Sequence, residues 1–278
     1  MRDRVNESMQ DDRKDAEALA PVRALRMQAG TRSPHDDAVV VEAPVALLYN
    51  GLSFAVMMTT PCDLEDFALG FAMSEGIVVA AEEFKLVDVV RADDGISLHA
   101  VIPQARYEAL AQRRRGLEGR SGCGLCGVEA LQDALRAVRR VPEPQAVALP
   151  RIHATLEALS AQQPLNARSG GVHAAGFAHD GGLLVREDVG RHNALDKLVG
   201  AMVHAGIDPA HGFLLITSRA SYEIVHKAAM AGIGIVVAIS APTDLAIRTA
   251  EAAGITLAAF ARGDALNLYA HPDGVANT

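Results

Sequence analysis

Tryptophan is absent from this chain of 278 residues, and aromatic residues make up only 4% of it. Hydrophobic residues still account for 50% of the sequence. A core must therefore be built mainly from alanine, valine, leucine and isoleucine, which is typical of an α/β protein. The three cysteines are too few for a disulfide scaffold and indicate a reducing compartment.

Positive charge is also in the minority. The net charge of -8 and the isoelectric point near 5.7 argue against a general nucleic-acid-binding protein. No apolar run approaches the ~20 residues that span a membrane, and the charged N-terminus does not resemble a signal peptide. These absences predict a soluble cytoplasmic protein with neither nucleic acid nor membrane as its partner.

Two of the cysteines lie in a loop that is rich in glycine. Cys123 and Cys126 belong to the run Ser-Gly-Cys-Gly-Leu-Cys-Gly at 121–127, which offers almost nothing to bury. Arginines precede this run, and apolar residues at helical spacing follow it from Val128. Positive charge and a helix N-terminus both favour a thiolate, so we predict sulfur chemistry in this loop. Cys62, by contrast, is predicted to be a small half-buried residue.

The chain is predicted to divide into four parts. Residues 1–37 mix charges of both signs and read as a flexible tail. Residues 38–115 are predicted to form a smaller α+β region of antiparallel strands, with a hairpin turn at Asn50-Gly51. Residues 116–142 carry the cysteine loop and a helix, and residues 143–278 form an α/β domain.

Strands alternate with helices from Gly170 onward. Predicted strands cover 170–178, 182–186, 213–217, 235–239 and 255–260, and predicted helices cover 193–205, 222–231 and 244–253. This alternation predicts βαβ units and a parallel sheet. Ligands of such sheets bind beyond the carboxyl ends of the strands.

Polar residues collect after these strands, where helix N-termini suit a phosphate or nucleotide. The candidate binding residues are Arg186, Ser218, Arg219, Ser240, Thr243 and Asn267. Each could be an ordinary cap, but their recurrence in several loops favours a nucleotide site. His173, which lies among glycines on a predicted strand, is either a core histidine or a residue close to a ligand.

Several of these motifs together resemble the FdhD-like sulfur carriers, the accessory sulfurtransferases needed for formate dehydrogenase. The matching segments are 121–127, 170–175, 186–197, 218–223, 231–233, 240–243 and 260–269. The most specific is the run Arg-Glu-Asp-Val-Gly-Arg-His-Asn at 186–193. The resemblance extends from about residue 38 to residue 271.

The resemblance implies a cytidine-deaminase-like three-layer core in the C-terminal part, without the deaminase zinc. It implies that sulfur passes from a cysteine desulfurase to the molybdenum bis(molybdopterin guanine dinucleotide) cofactor, with GDP as a mimic. It also implies formate dehydrogenase as the client and a homodimer as the assembly. Cys123 would carry the persulfide, Cys126 would assist, and the cofactor would contact Phe260, Ala261, Arg262, Gly263, Asp264 and Ala265.

Two alternatives remain open from the residues alone. One is a zinc-dependent deaminase-like hydrolase, which would need His-x-Glu followed by Pro-Cys-x-x-Cys. The segment His173-Ala174-Ala175 lacks the glutamate, and the cysteines precede the histidine, so no metal site is predicted. The other alternative is a non-catalytic protein that binds a guanine nucleotide.

Overall fold

A computed structural model describes residues 17–118 and 138–277 of the chain. The strands are β1 (Leu19–Gln28), β2 (Thr31–Val40), β3 (Ala43–Tyr49), β4 (Leu52–Thr59), β5 (Lys85–Ala92), β6 (Gly95–Val101), β7 (Val147–Ala148), β8 (His173–His179), β9 (Gly182–Asp188), β10 (Gly212–Ile216), β11 (Ile235–Ala238), β12 (Thr256–Arg262), β13 (Ala265–Ala270) and β14 (Val275–Ala276). The helices are α1 (Leu64–Ser74), α2 (Gln104–Glu118), α3 (Leu149–Ala161), α4 (Pro164–Ser169), α5 (Arg191–His204), α6 (Tyr222–Met230) and α7 (Asp244–Ala253). None of these described helices is both long enough and apolar enough to cross a bilayer.

Strands β1 and β2 form an antiparallel ribbon, which we call the arm. The flexible tail predicted for residues 1–37 is therefore wrong from Leu19 onward. Ala29 and Gly30 both have positive φ, as a tight two-residue hairpin turn requires. The mixed charges hid this ribbon from the composition argument, because both of its faces reach solvent and its apolar alternation is limited to a short stretch around Leu25 and Met27.

The N-terminal sheet has the strand order β4-β3-β6-β5. Asn50 and Gly51, both with positive φ, connect β3 to β4, so the predicted hairpin is confirmed. However, β3 pairs with β6 in parallel, and the sheet is mixed rather than antiparallel. The reason is that α1 and β5 intervene in the chain, so the chain crosses over before β6 forms.

Helix α1 covers one face of this sheet. Its aromatic side chains Phe67 and Phe71 pack on Val45, Leu47 and Leu98 from the central strands. These sheet residues alternate with outward-facing neighbours, which is the period of two expected of a strand with one buried face.

The C-terminal sheet has the order β13-β12-β11-β10-β8-β9. Only β10, β11 and β12 run parallel, so the predicted parallel sheet is correct at its centre and wrong at its margins. Hairpins join β8 to β9 and β12 to β13. Such short connections force antiparallel pairing, whereas parallel strands need a longer crossover.

Helices lie on both faces of the C-terminal sheet, which gives three layers. Helices α5, α6 and α7 pack on one face through an apolar cluster that includes Leu198, Ile224 and Ala250. Helix α3 covers the other face with Ile152 and Leu159. The abundance of alanine in these clusters agrees with the shortage of aromatic residues.

The two sheets meet where α1 packs against α5. A Cβ atom on Gly70 would lie 1.7 Å from the Asp196 carbonyl oxygen, and one on Gly200 would lie 1.9 Å from the Asp66 carbonyl oxygen. Both distances are far inside van der Waals contact, so glycine is required at both positions. The helix backbones therefore touch directly, and the two sheets form one body around this contact.

Two buried lysines lie close to the same contact. Lys197 is fully buried, with its Nζ atom 2.7 Å from Asp188 Oδ2. The Lys227 Nζ atom lies 2.9 Å from both Asp196 Oδ1 and Glu75 Oε1. Burial lowers the pKa of each amine, but the facing carboxylates outweigh it and the net pKa is raised. Both lysines therefore stay charged.

Candidate functional site

The predicted sulfur-carrying residues, Cys123 and Cys126, lie outside the described residues, and their role stays a prediction. Cys62 is the free cysteine within the described ranges and is buried, 6% exposed. Burial raises the pKa of its thiol to about 11, although the Lys197 amine 3.7 Å away opposes this shift. Cys62 is thus a protonated core thiol, and it is more deeply buried than the half-buried position predicted from the sequence.

Three of the predicted loops meet along the carboxyl edge of β10, β11 and β12. The Ala220 amide donates to the Ala241 carbonyl at 3.1 Å, and the Thr243 amide donates to the Ala220 carbonyl at 3.0 Å. The Phe260 amide donates to the Ser240 carbonyl at 3.1 Å. We call this continuous surface the sheet edge. The structure brings together Ser218, Arg219, Ser240, Thr243 and the segment 260–265.

The segment 260–265 turns β12 back into β13 through a bulge between Ala259 and Arg262. Phe260 has a positive φ of 53° and is 44% exposed, so its ring faces solvent at the sheet edge. Ala261 points into the core, and Arg262 Nε donates to the Ile239 carbonyl at 3.2 Å. Bulges re-aim side chains at functional edges, and this one exposes an aromatic ring.

The other predicted edge residues differ in what they already bind. The Thr243 hydroxyl accepts a hydrogen bond from the Ala246 amide and caps α7, which is the ordinary capping role weighed above. Ser218 is buried and its hydroxyl donates to the Arg219 carbonyl at 3.1 Å. The Arg219 side chain is exposed. Exposed Asp264 and Ala265 follow Gly263 (φ 57°), and exposed Asn267 donates to the Tyr269 hydroxyl at 3.4 Å.

Arg186 is not brought together with these residues. Strand β9, which carries it, is separated from β10 by β8. Its guanidinium lies 2.8 Å from Asp66 Oδ2 on α1 and 3.9 Å from Asp63 Oδ1. It lines a cleft of about 580 Å³ beside Cys62. In this structure Arg186 links the two sheets.

A second polar cluster at the sheet edge contains Arg191 and His192, which lie in the specific run 186–193 but were not predicted as binding residues. Helices α5 and α6 both begin there, and the His192 Nε2 atom on α5 lies 3.9 Å from Glu223 Oε2 on α6. Within the described residues, neither Arg191 Nε nor His192 Nε2 has a hydrogen-bond partner, although both atoms are shielded from solvent. The signal was an Arg-His pair directly after Gly190, the residue that precedes α5.

The electrostatics of this cluster favour neutral imidazoles. Burial, reinforced by the nearby Arg191 charge, lowers the pKa of His192 to about 4. Burial and Arg191 also lower the pKa of His173, which is half-buried at the start of β8. The cluster therefore has one permanent positive charge on Arg191, the negative charge of the Glu223 carboxylate, and two imidazoles that are neutral at physiological pH.

No metal centre accompanies these histidines in the part of the chain that the structure describes. Among residues 17–118 and 138–277, there is no group of three or more His, Cys, Asp or Glu side chains arranged to hold a metal ion.

The fold resembles that of a protein of known structure. The chain has the mixed α/β fold of a crystal structure from Desulfotalea psychrophila described as a formate dehydrogenase accessory protein, with a TM-score of 0.72 and 22% identity, covering 93% of this chain and 100% of that one. The chain itself belongs to the FdhD/NarQ family, whose model matches residues 40–276. It is 52% identical over 254 residues to the sulfur carrier protein FdhD of Xanthomonas euvesicatoria pv. vesicatoria (strain 85-10), covering 90% of each chain. It is 47% identical over 257 residues to the protein of the same name from Variovorax paradoxus (strain S110), covering 91% of each.

Proposed function

We propose that this chain is a cytoplasmic sulfurtransferase that carries sulfur as a cysteine persulfide. It receives the sulfur from a cysteine desulfurase and passes it to the molybdenum bis(molybdopterin guanine dinucleotide) cofactor of a formate dehydrogenase. The names of the curated relatives support sulfur carriage. We further propose that the three-layer core is cytidine-deaminase-like and that the chain acts as a homodimer.

The main support for this proposal is that Cys62 is buried and that the pKa of its thiol is raised. A persulfide carrier needs an accessible thiolate, because the thiolate is the nucleophile in sulfur exchange. Cys62 is buried and its pKa is raised to about 11, so it does not meet this requirement. Of the three cysteines, this leaves the glycine-flanked pair, Cys123 and Cys126, for the transfer.

The transfer has two steps. The Cys123 thiolate attacks the terminal sulfur of the desulfurase persulfide, which forms a new S–S bond and releases the desulfurase thiolate. Attack of Cys126 on the Cys123 sulfur then forms a disulfide and releases the terminal sulfur as hydrosulfide to the acceptor. The two thiols supply the electrons for this release, and a cellular thiol reductant restores the pair.

The sheet edge supplies groups suited to the acceptor. Arg219 is an exposed cation beside two strand-to-helix turns, and the unpartnered Arg191 Nε and His192 Nε2 atoms can donate to phosphate oxygens. The exposed Phe260 ring can stack on a purine base. Neutral His192 can donate a hydrogen bond without bringing a second positive charge next to Arg191.

Mass spectrometry of sulfur loading tests the proposal. The purified chain is incubated with a cysteine desulfurase and cysteine, and its peptides are analysed without reduction. We expect the peptide containing Cys123 to gain the mass of one sulfur atom. Cys123→Ala should abolish the gain, and Cys62→Ala, the matched control, should retain it.

The alternatives give different outcomes. If only the Cys62 peptide gained sulfur, the assignment of the carrier thiol would be wrong. If no cysteine gained sulfur while GDP still bound, the chain would be a non-catalytic guanine-nucleotide-binding protein. Loading that is normal in Cys126→Ala, together with loss of release to an acceptor, would match the assisting role proposed for Cys126.

A further inference from the structure

The arm extends away from the rest of the molecule. Its base is anchored, because Ala18 and Leu19 pack with Cys62 and Leu165. Beyond that base, nearly every residue from 21 to 37 is exposed. An isolated two-stranded ribbon is marginally stable in water, so a ribbon of ten paired positions needs a further contact to persist.

One face of the arm carries large apolar side chains. Leu25 pairs with Pro34 and Met27 pairs with Arg32, so these four residues share a face, which we call the Leu25 face. Leu25 is 60% exposed and Met27 is 64% exposed. On the opposite face, the distal residues are small or polar; they are Ala24, Arg26, Gln28, Thr31, Ser33 and His35. Only the Leu25 face gains from being covered.

A second uncovered apolar surface lies on the N-terminal sheet, on the side away from α1. Its exposed residues are Val56 and Met58 on β4, Val90 on β5 and Val101 on β6, with exposed fractions of 60%, 48%, 43% and 49%. Val56 pairs with Ala46 and Met58 pairs with Pro44, both of which alternate with inward-facing residues of β3. We call this surface the outer face.

The two units that carry these surfaces have opposite net charge. The distal arm, residues 23–36, contains three arginines and one acidic residue, Asp36, for a net charge of +2. Residues 43–103, which form the N-terminal sheet and α1, contain nine acidic and two basic residues, for a net charge of -7. On the outer face itself the charged residues are Lys85 and Asp88, so the attraction acts between the cationic arm and the acidic unit as a whole.

We propose that the Leu25 face docks on the outer face of a second copy of this chain, and that two copies exchange arms reciprocally. This inference rests on the proposed homodimer and names the surface that forms it. An exposed ribbon of about 25 Å by about 10 Å buries on the order of 250 Å² on each surface. Two reciprocal contacts bury on the order of 1,000 Å² in total, which reaches the lower limit for a specific interface.

Sedimentation velocity on the full chain over a range of concentrations is the first test. We expect a wild-type dimer, and we expect Leu25→Asp/Met27→Asp to raise the dimer dissociation constant at least 100-fold. The matched control, Ala24→Asp/Gln28→Asp, adds the same charge to the opposite face and should change the constant less than threefold. All these positions are exposed, so circular dichroism should show an unchanged fold.

Cross-linking locates the docking surface. A photoreactive residue at Met27 is activated in a mixture of isotopically light and heavy chains. We expect cross-links between light and heavy chains, and we expect them to reach the peptide that contains Val56 and Met58. Cross-links confined within one chain, or directed only to the C-terminal sheet, would overturn the proposal.

The remaining outcomes are also decisive. A wild-type monomer at every concentration would overturn the homodimer and the arm exchange together. A dimer that is unaffected by Leu25→Asp/Met27→Asp would overturn the arm exchange alone. Equal loss in the Ala24→Asp/Gln28→Asp control would overturn the role of the Leu25 face. Sulfur loading of Cys123 is measured on the same samples, and its failure in an intact dimer counts against sulfur carriage and not against the arm.

Discussion

Two groups of polar residues in this protein differ in whether their buried polar atoms have partners. The junction group, Lys197 with Asp188 and Lys227 with Asp196, is buried, and each amine lies within 3.0 Å of its carboxylate. The edge group consists of Arg191, His192 and Arg219. It lies at the carboxyl ends of the strands, and two of its shielded nitrogen atoms have no hydrogen-bond partner among the described residues.

This difference separates a structural role from a binding role. Buried polar atoms in native proteins are almost always hydrogen-bonded, and exceptions call for an explanation. The junction group satisfies its own charges and thereby fixes how α1 and α5 meet. We propose that the edge group keeps its hydrogen-bond donors available for an anionic partner. The comparison predicts that, at neutral pH, substitutions in the first group change stability, whereas substitutions in the second group change ligand affinity.

The largest expected effect is that of Lys197→Met. This variant leaves the Asp188 carboxylate buried without its counter-charge, which should lower the free energy of unfolding by about 3–5 kcal/mol. Urea denaturation measures the change. Lys85→Met, at an exposed position on β5, should stay within about 0.5 kcal/mol of wild type. A similar loss of stability in Lys197→Met and Lys85→Met would contradict the comparison, because the burial of the ion pair would then not be the cause of the loss.

The second effect should appear in binding and not in stability. Arg219→Ala removes an exposed cation from the sheet edge, and we expect GDP to bind roughly ten- to a hundredfold more weakly, or about 1.5–3 kcal/mol. Calorimetry measures the affinity. Arg248→Ala removes another exposed arginine, which pairs with Asp244 on α7, and should leave GDP affinity unchanged. Equal affinity in wild type and Arg219→Ala would remove Arg219 from the site.

The smallest expected effect is on the pH dependence of the free energy of unfolding. The pKa of His192 falls from 6.5 to about 4 on folding, so between these values the unfolded chain binds more protons than the folded one. The stability supplied by neutral His192 is therefore present above pH 6.5 and is lost as the pH falls towards 4. Allowing for partial solvent exposure, the loss should be roughly 1–2 kcal/mol.

Comparing unfolding at several pH values between 4 and 7 measures this loss. His192→Gln should flatten the dependence, because glutamine carries no titrating group. His211→Gln alters an exposed histidine and should keep the wild-type slope. A wild-type slope in His192→Gln would assign the acid sensitivity to residues other than His192.

Secondary structure could be predicted from the sequence where a short segment determines it. Asn50-Gly51 specified a hairpin, and the alternation of apolar residues with polar turns located the helices and strands of the C-terminal sheet. The pairing of β3 with β6 was not predictable in this way, because it joins segments separated by α1 and β5. The arm was missed because both of its faces are exposed and its apolar alternation is confined to Leu25 and Met27 among many charged residues.

The candidate site was likewise predictable from the sequence only in part. The loops after β10, β11 and β12 were predicted to lie together, because the ends of parallel strands share an edge. Arg186 was predicted among them, but its actual partner Asp66 is 120 residues away in the chain, and no local signal indicates such a contact. The lowered pKa of His192 depends on burial by distant segments, which the sequence does not show. The roles of Cys123 and Cys126 stay a prediction.

The paired glycines Gly70 and Gly200 have a consequence for cooperativity. Helix α1 belongs to the core of the N-terminal sheet and helix α5 belongs to the core of the C-terminal sheet. At the glycines their backbones are in contact, so neither helix can leave its place without exposing the backbone of the other. The two sheets are therefore expected to melt in one transition, with coincident curves from fluorescent labels placed on each sheet.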